Sequence, residues 1–274
     1  MYANPPVFLP FIDNAAIISV GLRPLASEHW IALDNQFEHY ARNKLELHKL
    51  NSARVYAQHS CSTDAQRELA QLLYTHLQTQ HHGHLLSLNR QGTATHNIND
   101  LWQASLWIQD DICLLQQMNN QYCLTAASLC APSEWNLAEK MGKPIESIHA
   151  PVPDLNARVG KQINNTFKQL RPLKHYQRFN WSLKPTNQLA LFPGQTPDDT
   201  VERIFLRVER QSLMRLPSTK AIAFTIRVYI YPIALIAEQP NTLAALKKAI
   251  SQMSDAEMQY KSMHTISHKF MQTY

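Results

Sequence analysis

The chain has 274 residues but only 6 glycines, where ordinary usage near 7% would give about 19. They stand at 21, 83, 92, 142, 160 and 194, too far apart for a dinucleotide fingerprint or a phosphate loop, both of which need closely spaced glycines so that bare backbone can approach a phosphate. The formal charge is +5, but the 26 Lys and Arg form no run of five, which argues against a nucleic-acid partner.

Residues 1–27 contain prolines and read as an extended arm. From Glu28 onward, Trp30, Leu33, Phe37, Tyr40 and Leu47 follow helical spacing. A second helix is expected over Ser62–Gln80, with Ser62 or Thr63 as its cap and Leu69, Leu72, Leu73 and Leu77 as its stripe. The segment His81–Asn99 reads as turns.

Beyond Leu101 the pattern changes to strands. Leu106–Gln116 and Tyr122–Cys130 flank a turn over Met118–Gln121 and read as a hairpin. A short helix follows around Leu137–Met141 and ends at Gly142, and Val159, Ile163, Phe167 and Leu170 mark another. Three further strands are expected at His175–Lys184, Arg203–Leu213 and Lys220–Tyr231. The C-terminus returns to helix, with Thr242 and Ser254 as caps. This order predicts an α+β fold with an antiparallel sheet flanked by N- and C-terminal helices. It divides as 1–100, 101–235 and 236–274, packed as one unit.

The last two strands carry a cluster of charge. In the first, Ile204, Leu206 and Val208 alternate with Phe205, Arg207, Glu209 and Gln211. In the second, Ile222, Phe224, Ile226, Val228 and Ile230 alternate with Ala223, Thr225, Arg227 and Tyr229. Matching apolar face to apolar face favours a register with Glu209 opposite Arg227 and Gln211 opposite Thr225, closed by a short loop. The neighbouring even register would oppose Arg207 to Arg227, a like-charge pair. Arg207, Glu209, Gln211 and Arg227 are therefore expected on one face with Phe205 and Tyr229.

No export signal or spanning helix is legible, because Arg227 and Pro232 interrupt the apolar run Ala221–Ala237, and a cytoplasmic protein is expected. Cys61, Cys113, Cys123 and Cys130 lack metal-knuckle spacing and read as reduced thiols. His81, His82 and His84 read as a solvated turn, and His264 and His268 as a helix surface without the glutamate of a zinc-protease motif. A serine-hydrolase elbow is absent. His149 precedes Pro151 and Pro153, which hold Ala150 and Val152 extended. It reads either as an axial metal or haem ligand on a stiff backbone or as a hydrogen-bonded loop histidine. In Gln177–Ser182, Phe179 and Trp181 take one face and Arg178, Asn180 and Ser182 the other, which reads either as an ordinary amphipathic strand or as a cationic and amide pair aimed at a ligand carboxylate.

Four phrases resemble, in order, the bacterial haem-dependent oxidative N-demethylase-like family. They are Pro132-Ser133-Glu134-Trp135 with Glu139-Lys140-Met141-Gly142, then Ile148-His149-Ala150-Pro151-Val152-Pro153, then Arg178-Phe179-Asn180-Trp181, and then the run from Arg207 to Pro217. The resemblance covers roughly residues 100 to 235. It implies a PAS-like domain that holds haem b and oxidises a methyl group of a small secondary amine such as dimethylamine with oxygen, releasing formaldehyde. Electrons would come from separate reductase subunits carrying flavin and iron-sulfur centres.

The chain has no C-x-x-C-H, so haem would be non-covalent. On this resemblance His149 is the axial ligand. Arg178, Arg215 and Arg227 are candidates for the propionates, and Trp135, Phe179 and Trp181 read either as pocket walls or as core aromatics. Glu209 reads either as an acceptor for the substrate ammonium and a proton relay, with Arg227 beside it, or as a cross-strand partner of Arg227. Other readings are a non-catalytic haem or small-ligand sensor and, against the dispersed charge, a nucleic-acid-associated protein.

Overall fold

Asn119 and Asn120 both have positive φ, 49° and 64°, and close a two-residue hairpin turn of the kind that matches strand twist. The hairpin joins β3 (Asp111–Met118) to β4 (Gln121–Ser128), as expected, although the first strand begins at Asp111 and not at Leu106. The computed structural model describes residues 8–13, 21–94, 100–148, 163–194 and 203–274. With β1 (Arg23–Leu25), β2 (Tyr56–Gln58), β5 (His175–Lys184), β6 (Phe205–Arg215) and β7 (Ile222–Pro232), the strands form a seven-stranded sheet. Its order is β1-β5-β6-β7-β3-β4-β2, and the neighbouring pairs are antiparallel. The fold is α+β, as expected.

The helices are α1 (Pro10–Asp13), α2 (Phe37–Val55), α3 (Thr63–Gln80), α4 (His82–Arg90), α5 (Leu101–Ser105), α6 (Leu137–Lys140), α7 (Ile145–Ile148), α8 (163–169), α9 (Ile233–Ala237), α10 (Pro240–Ser251), α11 (Asp255–Tyr260) and α12 (His264–Thr273). Three sequence expectations need correction. Helix α2 begins at Phe37, so Trp30 and Leu33 lie in a preceding loop, where Trp30 is 3% exposed against α3 and α4. The His82–Arg90 part of the turn-rich segment is helical in α4, held because Leu85 and Leu88 bury against α3. Thr242 sits inside α10, whose cap residue is Gln239, whereas Ser254 forms a full capping box with Glu257.

One face of the sheet, here called the inner face, is closed by two apolar clusters. Helices α3 to α5 cover Ile112, Leu114, Ala126, Met214 and Ala223. At the other end α9, α10 and α12 cover Trp181, Leu183, Leu206, Val208, Tyr229 and Tyr231. Each fully buried leucine here contributes roughly 1.5–3 kcal/mol. The opposite face is covered in part by α6, α7 and α8, through Leu137, Ile148 and Phe167, and is called the open face.

The register of β6 and β7 also differs from the expected one. Arg210 stands opposite Arg227 and Glu209 opposite Val228, a shift of one residue that turns Arg227 to the inner face. The hairpin closes through Leu216 N–H donating to the Ala221 carbonyl at 2.8 Å. The intervening loop is fixed by Glu68 of α3, which accepts from Ser218 N, Thr219 N and Thr219 Oγ1 at 2.6 to 2.8 Å. Both faces of these central strands carry apolar residues against helices, so matching apolar face to apolar face does not fix their register.

Candidate functional site

On the open face, side chains directly across the sheet form rows. Asn180, Glu209 and Val228 make one row, and Arg178, Gln211, Ile226 and Asp111 make the next. Tyr176, Leu213, Phe224 and Cys113 follow. Strand β7 is central, yet Phe224, Ile226 and Ile230 are only half-buried, as are Arg178, Asn180, Glu209 and Gln211 beside them. An apolar floor thus adjoins a polar edge at the middle of the sheet.

Glu209 is held by neutral donors. Its Oε2 accepts from Gln211 Nε2 at 2.9 Å and from Asn180 Nδ2 at 3.3 Å. Asn180 Oδ1 in turn accepts from Lys261 Nζ, which also donates to the Trp181 carbonyl at 2.6 Å. Lys261 lies in the turn between α11 and α12 and is 6% exposed. Burial pushes its ammonium down to about 8, although Glu209 favours the charged form.

Around this centre, buried charges shape the loops. Asp111 accepts from Cys130 N and Ala131 N, both at 2.8 Å. Arg207, 2% exposed, donates to the Ala131 carbonyl at 2.6 Å and the Leu189 carbonyl at 3.0 Å. Together they fix the segment leading to Pro132-Ser133-Glu134-Trp135. Trp135 packs in the cluster that contains Leu137, Ile148, Phe224 and Ile226. Glu134 takes Lys184 Nζ on Oε1 and Ser262 Oγ on Oε2, each at 2.6 Å.

Family membership is decided over the whole sheet and most of the helices: the family described as haem-dependent oxidative N-demethylase, alpha subunit-like, matches residues 21–271. The chain belongs to this family. Its description names haem, an oxidative N-demethylase and an alpha subunit, so haem dependence, oxidoreductase chemistry and a multi-subunit setting characterise this family. The match extends well beyond the segment where the sequence phrases are densest. No helix among the described residues is long and apolar enough to cross a membrane.

Within this N-demethylase-like chain the structure brings some expected site residues together and separates others. Glu209, Arg178 and Gln211 share the open face, and Trp135 covers its apolar end. Arg215 is on the same face but four positions past Gln211, about 13 Å by strand rise, and its Nη1 donates to the Lys168 carbonyl at 3.1 Å. Arg227 and Trp181 are on the inner face. Arg227 is fully buried, 2.8 Å from Asp34 and stacked 3.9 Å from the Tyr40 ring. Trp181 is 4% exposed, edge-on to Phe11, and Phe179 packs on Phe8. The cross-strand pairing of Glu209 with Arg227 is therefore replaced by Glu209 with Asn180 and Val228. His149 lies outside the described residues; Ile148, the residue bonded to it, is 3% exposed beside Phe224 and Ile226.

The open face suits haem on two counts. Phe224, Ile226 and Ile230 offer apolar surface at a sheet centre. Arg178 and Arg215 carry buried Nε atoms with no hydrogen-bond partner among the described residues, and an anion would satisfy them. Among the described residues no group of three or more His, Cys, Asp or Glu is placed to hold a metal. His81 and His84 instead bond the Ile31 and Trp107 carbonyls. Sequence reasoning missed Lys261 and the floor residues of β7: Lys261 gains its place only from the docking of the C-terminal helices, which no local spacing encodes.

Proposed function

We propose that this chain is a haem-binding subunit that removes a methyl group oxidatively from a small secondary amine such as dimethylamine, with release of formaldehyde. The observation that carries the reading is the half-open face on which Phe224, Ile226 and Ile230 adjoin Arg178, Asn180, Glu209 and Gln211, in a chain of this family. The five strands from β3 to β7 run in the order second, first, fifth, fourth, third, which supports a PAS-like core. Haem b, held non-covalently, would supply the oxidising chemistry when bound. His149 would hold the haem iron, on the resemblance of its phrase.

The chain's own residues do the rest. Arg178 and Arg215 would receive the propionates, where a guanidinium makes charge-assisted contacts. Trp135, Phe224, Ile226 and Ile230 exclude water from the methyl group. Glu209 has both amide donors on Oε2, which leaves Oε1 to accept an N–H of the substrate ammonium, take that proton and return it to the demethylated amine. The balance of amine, dioxygen, two electrons and two protons against demethylated amine, formaldehyde and water requires an electron source. We assign that role to reductase subunits carrying flavin and iron-sulfur centres, since the chain lacks the glycine loops that bind a dinucleotide.

The test is the absorbance spectrum of protein produced with haem supply. A Soret band that disappears in His149→Ala is the expected result, and absence of the band in wild type overturns the reading. Formaldehyde from dimethylamine with a reductase then separates an enzyme from a haem sensor.

A further inference from the structure

The C-terminal turn over residues 260–262 is built into the outer edge of β5. Strand β1 pairs with β5 only over His175–Gln177, so the edge beyond is open to another element. Lys261 Nζ fills it by donating to the Trp181 carbonyl and to Asn180 Oδ1. The turn itself is clamped: Lys184 Nζ donates to the Lys261 carbonyl at 3.1 Å and pairs with Glu134, which also accepts from Ser262 Oγ.

An amide has one acceptor end and one donor end. With an ammonium on Oδ1, the Asn180 Nδ2 group must point the other way, and it points at Glu209 Oε2. The orientation of a neutral side chain is thus set by a buried cation on one side and a carboxylate on the other. We propose that Lys261 is the positioning residue for Glu209, acting through Asn180 so that the second carboxylate oxygen is presented to the amine. This rests on the reading of Glu209 as the amine acceptor. It also makes docking of α11 and α12 a requirement for a formed site.

Lys261 faces Glu209 on β6, Arg178 and Lys184 on β5, and Glu257 on α11. Among these the lysine is depressed to about 8 by burial, so its proton can be followed near neutral pH. In the full chain labelled with carbon-13 and nitrogen-15, the Asn180 side-chain amide and the Glu209 carboxyl carbon should move together through an inflection near pH 8. Lys261→Met should remove that inflection and weaken dimethylamine binding, followed at the Glu209 carboxyl carbon, by about tenfold. Lys261→Arg should keep the affinity without the inflection. Asn180→Asp, which keeps the side-chain size, should move the Lys261 inflection to higher pH, because a carboxylate favours the ammonium, and should weaken dimethylamine binding. An inflection at Glu209 that survives Lys261→Met overturns the proposal. If Glu209→Gln leaves dimethylamine affinity intact while the Lys261 inflection persists at Asn180, the amine-acceptor role fails and the positioning relay stands.

Discussion

Arg210 and Arg227 are direct cross-strand partners, both sealed within the inner face. Two like charges opposite each other would be unfavourable alone, and the loop before α2 removes the conflict. Arg210 donates to the carbonyls of His29 and Trp30 and to Gln177 Oε1. Arg227 pairs with Asp34, whose other oxygen is held by Gln109 Nε2 at 2.7 Å. The polar band this creates lies between the two apolar clusters of that face.

Removing Asp34 therefore leaves a buried cation without its partner. Asp34→Ala should cost about 2–4 kcal/mol, less than for a sealed pair because the Asp34 side chain is 29% exposed. Urea unfolding measures it. Dimethylamine affinity should hold, since Arg227 lies behind the sheet from Glu209.

A second expectation concerns acid. His76 and His175 flank Trp30, with ring centroids 5.2 and 5.0 Å away, and burial lowers both to about 4 from 6.5. Between those values the unfolded chain binds more protons than the native one, so stability should be full above about pH 6.5 and fall as pH approaches 4. The upper bound is roughly 3 kcal/mol per histidine. His175→Phe should flatten the dependence of the melting temperature on pH in this range, and an unchanged slope would count against the histidine as its source.

The arginines of the open face should separate by role. Arg178→Met should weaken haem loading about tenfold or more, through loss of charge-assisted contacts, while secondary structure stays intact. Titration of haem into the apoprotein, read at the Soret band, distinguishes this from Arg207→Met. The latter should unfold the chain at lower urea, because Arg207 ties β6 to the 131 and 189 backbones.

Much of the sheet was legible. His175–Lys184 is a strand over the same residues that alternation marks, and the Asn-Asn turn follows from the residues' tolerance of positive φ. The register of β6 with β7 was not, because alternation alone cannot reveal that Arg210 and Arg227 find partners in a loop some 180 residues earlier in the chain. For the same reason Glu209 and Arg227 looked adjacent, and Trp181, part of a haem-family phrase, turned out to pack beneath α10 and α12. Alternation did place Arg207, Glu209 and Gln211 on one face of β6, but that Arg178 of β5 joins them there depends on the pairing of the two strands. Lys261 was not legible, because its partners lie 80 residues away.

Glu68 offers a check on that hairpin. Burial raises its carboxyl, but bonds from Thr219 and Ser218 outweigh this and hold it below its ordinary value. Glu68→Ala should cost about 1–3 kcal/mol, and in wild type the contribution should be present above the ordinary carboxyl value of 4.5 and fade as pH falls below it. Amide exchange at Ser218 and Thr219 should quicken in the variant.

The two edge strands give the sheet a birth order. Both come from the first quarter of the chain, yet β1 waits for His175–Gln177 and β2 for Ala126–Ser128. On a ribosome each therefore waits for a later strand, β2 for β4 and β1 for β5, and each is only three residues long. Short margins present little template for a second copy to add a strand. The finished sheet thus carries its shortest strands outermost, outside the eight-residue β4 and the ten-residue β5.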